Sequence, residues 1–304
     1  MRNLLFTFIL ALLSALTSAQ TFSNVAIAEA STVCSIAQDE QGMVWLGTEN
    51  GLYSYDGYRT IQHNTAADGT PMATRIHSML VSHNIIYMGT ERGLLVYDIR
   101  SGRYGQPAEH SLKDIRAVAM HQGRLWMGSA TGLYSCDLAA NDIRLENRQL
   151  QNVYSLLSTP RGLLVGTIDG LALRSPGGSI RPIPIGNGPQ PLVNALAPDR
   201  GTHAVWIGTE GALYRYDWRT FQPVAPLVGN SIKSLALHGD NIYAGTDNGM
   251  FIYNKVSNHI SHALHDSRSA RSIANNIVWA VFNDRWGNLW SMLYRGHALV
   301  GACP

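Results

Sequence analysis

The sequence predicts an all-β chain, a seven-bladed β-propeller of four-stranded antiparallel blades, and three observations carry that expectation. A phrase typified by Trp45-Leu46-Gly47-Thr48 through Gly51-Leu52-Tyr53 occurs six times, its leading glycines 42, 39, 38, 42 and 37 residues apart. That spacing suits a four-stranded propeller blade. A second phrase, apolar-variable-small-apolar, occurs seven times. Charged residues are only 14% of the 304-residue chain and 29 residues are glycine, which favours turn-rich β structure over helices with charged faces.

The elements of each unit follow in order. The second phrase is the innermost strand: Val33-Cys34-Ser35-Ile36, Ile76-His77-Ser78-Met79, Ile115-Arg116-Ala117-Val118, Val153-Tyr154-Ser155-Leu156, Val193-Asn194-Ala195-Leu196, Ile232-Lys233-Ser234-Leu235 and Val278-Trp279-Ala280-Val281. Its small third residue lets neighbouring blades approach where strands converge on the axis. A polar turn such as Asp39-Glu40-Gln41-Gly42 leads to a second strand ending in Gly-Thr, then a short turn, a third strand like Leu52-Tyr53-Ser54-Tyr55, and a weaker outer strand. The Gly of Gly-Thr and the Gly four residues later fit a hairpin that needs positive φ or a close backbone pass. Helix signals are absent.

The blades are expected near 31–63, 74–106, 113–147, 151–185, 190–225, 230–262 and 275–300, about 41 residues each. The seventh lacks an evident outer strand, so either it is incomplete or residues 22–27 supply the strand and close the ring, removing an exposed edge. After Trp290 the expected Gly-Thr is replaced by Ser291-Met292-Leu293, so 291–304 is expected to be a divergent tail, left by a gene truncated near codon 291.

The N-terminus carries Arg2, an apolar run over Leu4–Leu13 and small residues to Ala19. This is the pattern of a signal peptide over 1–19, and no later run is long enough for a membrane span. The propeller is then 20–290 and the expected location is the periplasm. Three cysteines, Cys34, Cys136 and Cys303, cannot all pair within the chain. A formal net charge of +2 without any basic block points to no nucleic acid.

Trp45-Leu46-Gly47-Thr48 through Tyr55-Asp56-Gly57-Tyr58, the Asp39-Glu40-Gln41-Gly42 turn, and Asn275-Asn276-Ile277-Val278-Trp279 through Trp286-Gly287-Asn288-Leu289-Trp290 resemble the two-component regulator propeller repeat. The likeness covers residues 22 to 290. It implies the periplasmic sensor region of a hybrid two-component system, whose second propeller, membrane helix and kinase are not in this sequence and could reside in a partner chain.

Candidate chemistry is sparse. Glu49, Glu91, Glu210 and Asp247 recur at one repeat position and are expected to solvate or cap hairpins rather than act as acids or bases. His259, His262 and His265, three apart on or near a strand, would point to opposite faces and not converge on a metal. Trp45, Trp126, Trp206 and Trp290 fall in register on the second strand and read as core. No nucleophile triad or phosphate loop emerges, so neither a cofactor nor an enzyme is expected.

One position varies while its neighbours repeat: the second of the inner phrase, with Cys34, His77, Arg116, Tyr154, Asn194, Lys233 and Trp279. Seven such residues would ring the channel mouth, offering aromatic faces and cations to an oligosaccharide or other polar small ligand, acidic sugars included. Arg75, Arg92 and Asn152 on adjoining turns join them as candidates. Two other classes stay open, a propeller-fold lyase or glycosidase and a protein-interaction scaffold.

Overall fold

The structure, a computed structural model, describes residues 23–26, 32–105, 112–269, 272–293 and 297–302. The signal-peptide segment and Cys303 lie outside them. The described strands form an all-β propeller of seven four-stranded antiparallel sheets. In six sheets the strands are consecutive in the chain. The fifth has the fewest strand residues, over Val193–Pro198, Val205–Thr209, Leu213–Tyr216 and Phe221–Pro223. The last sheet runs Val278–Asn283, Asn288–Leu293, His297–Ala302, and then takes Ser23–Ala26 as its outer strand. Chain start and chain end therefore share one blade, which leaves the ring no unpaired seam.

Ser291–Leu293, expected to leave the repeat, holds it instead. Val278 pairs with Leu293 and Ala280 with Met292, the register in which Val33 pairs with Thr48 and Ser35 with Gly47. Met292 is fully buried against Val33 of the first blade. It takes the place that glycine holds in the other six blades, and this substitution hides the repeat from the sequence.

Each inner strand lies against the next, and Val278–Asn283 returns against Val33–Gln38. The buried residues fall into seven clusters, one for each pair of adjacent blades. Trp45, Trp126, Trp206 and Trp290 sit in four of them, so the tryptophans are core residues as expected. The glycine of Gly-Thr is required by close approach: a Cβ on Gly128 would stand 2.3 Å from Val153 Cγ1 of the next blade. The threonine closes the hairpin, since Thr48 Oγ1 donates to Gly51 O and accepts from Asn50 N, and Thr90 and Thr246 repeat this. Helix is confined, among the described residues, to one 3-10 turn over Ala225–Leu227.

Candidate functional site

All seven inner strands carry the same irregularity. Their pairing with the second strand slips between the first and third residues of the phrase: Val33/Ser35, Ile76/Ser78, Ile115/Ala117, Val153/Ser155, Val193/Ala195, Ile232/Ser234 and Val278/Ala280. The residue skipped is always the variable one. A bulged residue leaves the ladder and its side chain is re-aimed, a device over-represented beside binding sites. Cys34, His77, Arg116, Tyr154, Asn194 and Lys233 are half-buried there, and Trp279 is 40% exposed.

The structure brings five of the predicted site residues, Arg116, Asn152, Tyr154, His77 and Arg75, into contacts on one side of the ring. The Arg116 guanidinium donates to Asp114 Oδ2 through Nε (3.0 Å) and Nη2 (2.6 Å), and to Asn152 Oδ1 through Nη1 (3.1 Å). It also lies over the Tyr154 ring, 4.8 Å from the centroid. His77 Nε2 stands 3.3 Å from Asp114 Oδ1, close enough for ion pairing but off hydrogen-bond alignment. Burial pushes the His77 pKa down, opposed by the Asp114 charge, which favours the neutral imidazole. Arg75 pairs with Glu49 from the hairpin of the preceding blade. Burial also raises the pKa of Cys34, while Arg75 opposes that rise. Asp114 and Asn152 both hold positive φ, 52° and 48°, a conformation that Asp and Asn tolerate better than most residues.

Across the ring, Lys233 Nζ is 3.0 Å from Asp247 Oδ1 and 4.7 Å from the centroid of Trp279. Asn194 takes the bulge between these two groups. Arg92 is exposed, and its backbone amide donates to Thr90 Oγ1. Two of the hairpin acids thus do more than solvate a turn: Glu49 and Asp247 neutralise ring cations. Asp114 was not singled out from the sequence, and the signal available was its place two residues before Arg116.

The histidine run engages separate neighbours. His262 stacks on Phe251 with centroids 3.9 Å apart, and His265 Nδ1 lies 2.8 Å from Ile273 O. A cavity of about 1010 Å³ opens at the opposite ends of the inner strands in blades five to seven, walled by Leu196, Leu235, Phe282, His238 and Lys255. No candidate residue lines it.

The repeat family described as two component regulator propeller matches residues 29–50. No curated protein matches the chain. Among solved structures, the chain resembles the extracellular domain of BT4673, a proposed one component or hybrid two component system of B. thetaiotaomicron. In the two structures of that domain the identity is 37% and 36% and the TM-score 0.83, over 92% of this chain and 40% and 39% of the other. It also resembles the extracellular domain of the B. thetaiotaomicron system BT3049, at 19% identity and TM-score 0.79, over 94% of this chain and 42% of that one, a likeness of fold alone. The chain therefore spans about 40% of the length of the chains it matches first. No helix of the described residues is long and apolar enough to cross a membrane. By its repeat, its fold and these relatives, the chain carries the two component regulator propeller repeat at residues 29–50 and is similar over nearly its whole length to part of the extracellular domain of BT4673.

Proposed function

We propose that the chain is a non-catalytic recognition propeller, exported to the periplasm, that binds an oligosaccharide over the ring of bulged residues. The carrying observation is the bulge itself, present in all seven inner strands at the position where residue type varies. A repeat that holds its backbone irregularity while changing the side chain presents a different contact from each blade. The kinship with extracellular domains of two component systems supports sensing as the use of that surface. Transmission then falls to a second propeller or a kinase-bearing partner.

Calorimetric titration with an oligosaccharide panel, with product analysis in the same vessels, tests this. Saturable binding of intact ligand is expected, weakened in Arg116→Ala and Trp279→Ala at unchanged melting temperature. Turnover of the ligand, or unchanged affinity in both variants, overturns the proposal.

A further inference from the structure

The ring cations are already spoken for, and this bears on the charge of the ligand. Two groups of the same composition face each other three blades apart: Asp114 with Arg116 over Tyr154, and Asp247 with Lys233 over Trp279. In each, a carboxylate neutralises the cation, and the cation covers one side of the aromatic ring of the next blade. Arg75 is likewise matched by Glu49. The hairpins add Glu91, Asp169 and Glu210, exposed and without an ion pair among the described residues. Arg92 makes no ion pair there either, but it adjoins Glu91.

Resting on the recognition reading above, we propose that the ligand is an uncharged oligosaccharide long enough to reach both groups. A sugar hydroxyl donates and accepts at once, so an adjacent carboxylate and guanidinium or ammonium satisfy it together. The C–H face of a pyranose is apolar and packs on the open side of an aromatic ring. A uronate's carboxylate or a sulfate group only accepts. It would have to draw Arg116 or Lys233 from its carboxylate and leave that carboxylate, or its own charge, uncompensated beside further acids. With Tyr154 and Trp279 on opposite sides of the channel mouth, a ligand that touches both is longer than one sugar.

The test uses the full chain and two ladders from dimer to octamer: neutral manno-, xylo- and gluco-oligosaccharides, and oligogalacturonides with heparin-derived fragments. Neutral ligands are expected to bind, with affinity rising with length until both groups are engaged and changing little between low and high salt. Tyr154→Ala and Trp279→Ala should each weaken the long ligands by about tenfold. Tighter binding of the acidic ladder with steep salt dependence overturns this inference alone and leaves the recognition reading standing. Binding that does not depend on length overturns the two-group contact. Absence of binding by either ladder overturns both proposals.

Discussion

The two ends of the inner strands use polar residues in opposite ways. Where the strands begin, charges are half-exposed, paired side by side, and set on bulges. Where they end, in the first and seventh blades, a buried aspartate is saturated by donors. Asp39 Oδ1 accepts from the Gln41 and Met43 amides and its Oδ2 from Trp45 Nε1, each at 2.9 Å. Asp284 does the same with the Trp286 and Asn288 amides, Asn288 Nδ2 and Trp290 Nε1, at 2.8–3.0 Å. Arg285 then reaches across the junction to Glu40 O (2.6 Å) and Asp39 O, and Trp286 covers Gly42. Buried and fully satisfied polar groups rigidify a structure, whereas exposed ion pairs contribute little to it. The far ends are thus built for stability, while the near ends carry the surface proposed for recognition.

Asp284→Ala should show the largest effect. It orphans a buried indole N–H and two turn amides at once, so a loss of about 2–4 kcal/mol is expected in urea unfolding. Ligand affinity should be unchanged in the folded fraction. A stability loss no larger than that of a near-end variant would erase the contrast between the two ends.

The fifth blade sharpens the comparison because its aspartate is wired differently. Asp199 accepts from Lys255 Nζ of the sixth blade at 2.9 Å and from Thr202 Oγ1, and buried Trp206 Nε1 has no hydrogen-bond partner among the described residues. Trp290→Phe takes one of two donors from Asp284 Oδ2, while Trp206→Phe removes a donor with no partner among the described residues, at similar burial. The first should cost about 1–2 kcal/mol more than the second, since the loss of volume is common to both. Equal costs would mean that the indole bonds add nothing.

Asp199 also carries a pH signature. Burial raises its pKa, but hydrogen bonds from Lys255, Thr202 and the Gly201 amide outweigh that and hold it below the usual carboxylate value. A pKa lowered on folding contributes stability above the unfolded value, about 4, which is lost as pH falls through the folded value. Lys255→Met should therefore be destabilised at pH 7, with the gap to wild type closing below about pH 4. A gap independent of pH would show that Lys255 acts through packing alone.

The repeat made the fold legible, because the Gly-Thr hairpin and the small residue of the inner phrase are each dictated by a contact with the next blade, as Gly128 against Val153 illustrates. It failed at Met292, where a buried side chain does the work of a close approach and the spelling changes while the register does not. The ring was legible as variability, since Arg116 and Trp279 stand where neighbours repeat. Its charge balance was not. Glu49 meets Arg75, and Lys233 meets Trp279, only through contacts between blades about 26 and 46 residues apart in the chain, which spacing within one unit does not encode.

The smallest stability effect is expected at Arg116, and that is the point of the variant. Its pair with Asp114 brings two guanidinium nitrogens to one carboxylate oxygen, but the side chains are 24% and 34% exposed, so solvent screens the attraction and the net contribution should stay below about 1 kcal/mol. Arg116→Ala also leaves Asp114 free to be hydrated and Tyr154 uncovered, which moderates the loss further. Affinity should respond in the other direction of emphasis. With the guanidinium gone, the carboxylate loses the partner that orients it and the tyrosine loses the group that defines its open side, so oligosaccharide binding should weaken by about tenfold or more. Urea midpoints and calorimetric titration on one preparation measure both quantities. If stability fell sharply while affinity held, the ring would be one more structural seam, and the two ends of the strands would not differ in kind.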